Sequence, residues 1–294
     1  MSETKFNGTG VALVTPFDEK LNIDFKALEK TVSHVIEGKV DYLVVQGTTG
    51  ESATLTDDEK KDVLHYIQSM NLKKPVVFGI GGNDTRKVLH TLDQFSGEKF
   101  DAILSVCPYY NKPSQAGLIN HFILIADHSP FPVILYNVPG RTSVNLSAES
   151  TARLSEHPNI IGVKEASGNY SQCADIARMS RPDFLLISGD DLFTLPILTL
   201  GGVGVISVLA NALPANMTSM VNCGLKGDYR KAALEMFELS SINPLMYSEG
   251  NPTGVKFLME VMGLCQGNVR PPLFPASESL QKKIREEYIK ISKD

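Results

Sequence analysis

The sequence predicts an α/β fold: a (β/α)8 TIM barrel followed by a C-terminal helical segment. Three observations predict it. Eight short runs rich in β-branched residues recur along the chain. Each is mostly apolar rather than alternating, the pattern of parallel strands covered on both faces. Between the runs lie amphipathic stretches at helical spacing, so strand and helix alternate.

The strands are read as GVALVTPF (10–17), YLVVQGT (42–48), VVFGI (76–80), AILSVCPYY (102–110), VILYNV (133–138), IIGVKEA (160–166), FLLISGD (184–190) and GVGVISV (202–208). After the first strand, Phe25, Leu28, Val32, Val35 and Ile36 form a helical stripe. Val63, Leu64 and Ile67 form a second behind the capping-box pattern Thr56-x-x-Glu59. Val88, Leu89, Leu92 and Phe95 form a third, with Gly97 as its stop. The segment DLFTLPILTLGG leaves room only for a short helix between strands seven and eight. A doubly wound open sheet would need a glycine-rich phosphate turn after its first strand, and TPFDEK has no glycine. Past residue 211 the pattern is helical only, with stripes near 229–240, 253–264 and 277–291. The expected division is a barrel over 1–225 carrying the active site and a helical segment over 226–294, with no low-complexity linker and no short repeat.

Composition narrows the function. The 294 residues are 43% hydrophobic and 21% charged, enough for a sizeable core. A net charge of −5 argues against nucleic acid and anionic membrane surfaces as partners. Cys107, Cys173, Cys223 and Cys265 are scattered with no Cys-x-x-Cys, as in a reduced, cytoplasmic protein. The first residues, MSETKFNGTG, have no apolar signal-peptide core, and no run approaches the roughly 18 apolar residues of a membrane span. The six histidines, His34, His65, His90, His121, His128 and His157, stand away from strand ends, so no catalytic metal is expected. Asp190-Asp191 could bind Mg²⁺ in principle, but paired aspartates here read as a cap for the next helix.

Barrel enzymes place their chemistry at the C-terminal ends of the strands. Those ends carry Gly47-Thr48-Thr49-Gly50-Glu51, Tyr109-Tyr110-Asn111, Tyr136-Asn137-Val138-Pro139-Gly140-Arg141, Lys164 and Gly189-Asp190-Asp191. A lysine in an apolar barrel wall loses hydration, its pKa falls, and the neutral amine can form a Schiff base with a carbonyl compound. The alternative is an ion pair with Glu51 or Glu165. Gly162, two residues earlier on the same face, is expected to leave room below the lysine. Tyr136 could move protons on and off the adduct, with Thr48 and Tyr110 as relay hydroxyls. Equally, the three could be ordinary strand, turn and loop residues. Arg141 is a fork for a carboxylate or a surface ion pair. The Thr48-Thr49-Gly50 turn could hold a small carboxylate or cap the following helix.

GTTGES (47–52), PYYNKP (108–113), YNVPGRT (136–142), GVKEASG (162–168) and SGDD (188–191) together resemble the dihydrodipicolinate synthase family, also called 4-hydroxy-tetrahydrodipicolinate synthase, within the pyruvate-dependent class I aldolases. The motifs span the barrel in the family's order. The resemblance implies that Lys164 forms the Schiff base with pyruvate and Tyr136 is the general acid/base. It implies that Thr48 and Tyr110 complete a proton relay, Tyr110 crossing a subunit interface of a homotetramer built as a dimer of dimers. Thr49, Gly189 and the backbone of Ile206 would bind substrate, and Arg141 would receive the carboxylate of L-aspartate 4-semialdehyde. No cofactor is implied beyond the covalent adduct. The reaction implied is the first committed step of diaminopimelate and L-lysine synthesis. The alternatives are another pyruvate aldolase, such as N-acetylneuraminate lyase, or a non-catalytic homologue. The Pro139-Gly140-Arg141-Thr142 turn, which sialic-acid lyases lack, favours a small carboxylated acceptor.

Lysine-sensitive members bind the end product at an allosteric site between subunits. Ser52, Ala53, Leu55, Asn83 and Tyr109 match it. Asp57, Lys60 and Lys87 stand where such members often carry histidines and a glutamate. A cation at Lys87 should repel the effector's ammonium, so weak or absent feedback inhibition is expected.

Overall fold

In the computed structural model, which describes residues 5–292, every apolar run supplies one strand. The order is β1 (Gly8–Ala12), α1 (Phe25–Glu37), β2 (Tyr42–Val45), α2 (Asp57–Ser69), β3 (Val76–Gly79), α3 (Thr85–Phe95), β4 (Ala102–Val106) and α4 (Gln115–His128). It continues with β5 (Val133–Asn137), α5 (Pro139–Thr142), α6 (Ala148–Ser155), β6 (Ile160–Glu165), α7 (Tyr170–Met179), β7 (Leu185–Ser188), α8 (Thr194–Thr199) and β8 (Gly204–Ser207). Four helices close the chain: α9 (Pro214–Leu225), α10 (Tyr229–Leu239), α11 (Thr253–Val261) and α12 (Glu278–Ile291). The strands form a closed parallel barrel in sequence order, as expected.

The helix starts follow local chemistry. Asp24, Asp84, Ser114, Ser147 and Asn169 each accept a backbone N–H from the first turn of the helix they precede. The Thr56–Glu59 capping box forms in both directions at α2. Between β7 and β8 only the six-residue α8 fits. The helix α9, whose apolar residues include Met217, Met220 and Val221, has no counterpart among the expected stripes.

Two compact units are distinguished. Pro75–Ile206 carries β3 to β8, and Gly8–Lys74 with the chain from Ser207 onward carries β1, β2 and α9 to α12. In the first, the apolar strand residues are almost wholly buried, among them Phe78, Ile103, Leu135, Val163 and Ile187. In the second, Val11, Leu43 and Val44 are buried likewise, and the C-terminal helices bury Met220, Leu258 and Ile284.

The β5–β6 ladder contains one irregularity. Val133 pairs with Ile160, but Ile134 pairs with Gly162, so Ile161 is skipped. From there the pairing runs Leu135–Val163, Tyr136–Lys164 and Asn137–Glu165. A bulge shifts pairing by one residue and re-aims the side chains beyond it.

Candidate active site

The first unit holds the lysine. Tyr136 and Lys164 are register partners at the ends of adjacent strands. The Lys164 Nζ lies 4.5 Å from the centre of the Tyr136 ring. Both side chains are buried, at 5% and 7% exposure. Burial drives the Lys164 amine down to about 8; Asp191 opposes the fall and the Arg141 cation reinforces it. Glu51 and Glu165, the carboxylates that could have neutralised it, are engaged elsewhere. Glu51 pairs with Lys256. Glu165 accepts the Asn137 and Gln172 amides and the Ser167 N–H.

Gly189 abuts the lysine directly. A Cβ there would come 3.2 Å from Lys164 Cε, 2.7 Å from Ala166 Cβ and 3.1 Å from Glu165 O. Gly162 has a different reason from the one expected. A Cβ there would sit 2.7 Å from both Cβ and O of Leu185, its register partner on β7. It is small to let β6 and β7 approach, and Leu185 fills the space expected to be left below the lysine.

The two aspartates divide their tasks. Asp190 Oδ1 accepts the Phe193 N–H ahead of α8, and its carbonyl accepts the Ser188 and Thr194 hydroxyls. Asp191, 2% exposed, is the anion that acts on Lys164. Arg141 stands exposed on the single turn α5, which follows β5 after Val138. Ile206 is fully buried in β8. Tyr110, beyond β4, is 88% exposed at φ +73°, and Tyr109 beside it is 42% exposed.

The second unit holds the threonine turn. Thr48–Gly50 form one turn of 3₁₀ helix after β2. Because Thr56 caps α2, this turn does not cap the helix after it. Thr49 is 2% exposed, and its Oγ1 accepts the Asn251 amide at 3.0 Å. Glu51 follows in the left-handed region at φ +53°. Its carboxylate accepts Lys256 Nζ and the Arg270 N–H. Lys256 is fully buried, also donates to Asn268 O, and lies 4.1 Å from the centre of the Phe17 ring. Arg270 forks onto Glu59 and donates to the Leu21 and Thr54 carbonyls. The C-terminal segment thus holds the threonine turn through Asn251, Lys256 and Arg270. None of these was reached from the sequence, although a lone Lys256 inside TGVKFLMEV was a signal of a buried, paired charge.

In the allosteric set, Ser52 and Ala53 lie in a short 3₁₀ turn and Leu55 is buried. The Asn83 carbonyl accepts the Asn111 amide. Lys60 pairs with Asp57 at 2.9 Å. Among the described residues, no group of three His, Cys, Asp or Glu is placed to hold a metal ion, and no helix is long and apolar enough to cross a membrane.

A buried lysine beside a phenol at neighbouring strand ends of a parallel barrel is the arrangement the structure holds, and comparison with known proteins gives the family. Residues 5–291 match the Dihydrodipicolinate synthetase family. The 4-hydroxy-tetrahydrodipicolinate synthase of Cytophaga hutchinsonii is 46% identical over 290 residues, 98% of each chain. The crystal structure of dihydrodipicolinate synthase from Thermotoga maritima superposes with a TM-score of 0.95 at 34% identity, over 98% of this chain and 99% of that one. The Acinetobacter baumannii enzyme, solved in complex with pyruvate, superposes with a TM-score of 0.94 at 35% identity, over 97% and 99%. The chain belongs to the dihydrodipicolinate synthase family, and with it to the lyases of the diaminopimelate route to L-lysine.

Proposed function

We propose that this chain condenses pyruvate with L-aspartate 4-semialdehyde through a Schiff base on Lys164. The observation that carries the reading is the buried amine, brought down to about 8 by desolvation and set 4.5 Å from the Tyr136 ring. Near neutral pH a sizeable fraction of such an amine is a free nucleophile.

In this reading the amine adds to the pyruvate carbonyl carbon, and the carbinolamine loses water to give the imine. Tyr136 protonates the departing hydroxyl and later takes a proton from the methyl carbon, leaving an enamine. The enamine carbon attacks the aldehyde of the second substrate. The amine of that substrate then attacks the imine carbon, closes the ring and releases Lys164. Thr48 and Tyr110 relay protons to solvent. Thr49, Gly189 and the Ile206 backbone serve pyruvate, and Arg141 takes the second carboxylate. No cofactor enters, and the compartment is the cytoplasm.

Tyr110 belongs to a subunit interface of a homotetramer. Its support is 88% exposure combined with a left-handed backbone that an L-residue adopts at a cost of roughly 1–2 kcal/mol. Feedback by L-lysine is weak or absent, because Lys60 is paired with Asp57 and a lysine at 87, where a carboxylate would meet the effector's ammonium, repels it. Half-inhibition at submillimolar L-lysine would overturn that part.

Product formation is the test, with N-acetylmannosamine as the parallel acceptor. Condensation with the semialdehyde alone is expected. Condensation with the sugar alone would reassign the acceptor and the role of Arg141. Pyruvate with borohydride should leave one adduct on Lys164, and an adduct elsewhere would refute the mechanism.

A further inference from the structure

Behind the lysine, on the outer face of β5 and β6, four side chains close a ring. Asn137 donates to Glu165 at 2.9 Å and to Asn145 at 2.8 Å. Gln172 donates to the same Glu165 oxygen at 3.1 Å, and its own oxygen accepts the Asn145 amide at 2.7 Å. Glu165 is 1% exposed, and its other oxygen accepts the Ser167 N–H at 2.6 Å.

A carboxylate can only accept, so it dictates which end of each amide faces it. Asn137 must turn its NH₂ toward Glu165, which leaves its Oδ1 for the Leu146 N–H at 2.9 Å. That bond closes the loop between the end of β5 and Leu146, and Arg141 is carried on that loop. A neutral glutamine at 165 would have the same shape and would avoid burying a charge. What it would lose is the fixed polarity of the ring.

We propose that Glu165, Asn145 and Gln172 are positioning residues for Arg141: the charge of Glu165 orients Asn137, and Asn137 sets the loop that presents the guanidinium to the acceptor carboxylate. This rests on the reading of Arg141 given above. Glu165 would therefore control recognition of the second substrate, although it adjoins the lysine that binds the first.

The test compares Glu165→Gln with the milder, surface-side Asn145→Ala. Each is made alone and combined with Arg141→Ala. The KM for the semialdehyde should rise about tenfold in each single variant, the scale of a small misplacement of a binding group. The KM for pyruvate and the rate of the borohydride-trapped adduct should stay within about twofold, a split that a general loss of packing does not produce. On the Arg141→Ala background the ring substitutions should add less than about twofold, since residues acting through one partner are not additive. Unchanged semialdehyde KM in both ring variants, equal losses for both substrates, or effects that multiply with Arg141→Ala would overturn the proposal and leave the role of Arg141 standing. An unchanged semialdehyde KM in Arg141→Ala alone would overturn that role and this inference with it.

Discussion

Among the described residues, two lysines are buried, in two settings. Lys256 is fully buried, bonded to Glu51 and a backbone carbonyl, with its ammonium over Phe17. Lys164 is nearly as buried, but its amine lies over a phenol, and the nearby charges of Asp191 and Arg141 pull in opposite directions. Burial lowers the pKa of both. What separates them is the partner: a carboxylate at bonding distance makes Lys256 a fastener for the threonine turn, whereas the amine of Lys164 faces a phenol, the setting the proposed Schiff base calls for. Desolvation alone does not mark a nucleophile.

The largest effect should come from breaking the fastened lysine. Lys256→Met strands the Glu51 carboxylate in the interior, so denaturant unfolding should report a loss of about 3–5 kcal/mol. A stability within about 1 kcal/mol of the parent would remove the contrast. Lys164→Met should act in the opposite direction. At pH 7 the native lysine carries a charge that its site disfavours, from an unfolded value near 10.5 to about 8. That net difference, with the attraction of Asp191 already in it, sets a gain of up to about 3 kcal/mol in the variant. The native chain sheds the cost as the pH rises from about 8 to about 10.5, because over that range only the unfolded state keeps the proton. The gap between variant and parent should therefore close with rising pH, while the pyruvate adduct is lost at every pH.

Gly189→Ala probes the wall behind Lys164. The methyl meets Ala166, a backbone carbonyl and Lys164 Cε, so a cost of about 1–3 kcal/mol and a slower adduct are expected. An adduct rate equal to the parent's would show that Lys164 is not held there. The gentlest probe is pH itself. At fixed pyruvate, the trapping rate should rise about tenfold per pH unit below about 8 and level off above it. A midpoint near 10 would make Lys164 an ordinary lysine.

Most of the barrel was legible because parallel strands announce themselves as apolar runs and their ends fall at the last apolar residue. Lys164, Tyr136 and Arg141 were legible for the same reason: each lies at or just beyond such an end. The restraints behind them were not. Glu51 and Lys256 are 205 residues apart, and nothing in either local pattern names the other. Asn137, Asn145 and Gln172 look like ordinary polar residues until β5, the α5 loop and α7 are brought to one face. Gly162 was assigned to the right strand and the wrong neighbour, since its crowding comes from β7. The helix α9 lacks a conspicuous stripe because it is buried on much of its circumference.

The skipped residue in β6 makes the pairing of amine and phenol a matter of counting. Were Ile161 paired in turn with Ile134, Tyr136 would stand beside Val163 and Lys164 beside Asn137. A one-step slip exchanges the faces of a strand, so lysine and tyrosine would then look away from each other with every residue still present. The pairing of this lysine with this tyrosine is thus written in the phase between two strands as much as in their letters. Anyone grafting the proposed chemistry onto another barrel must carry over the hiccup along with the motif.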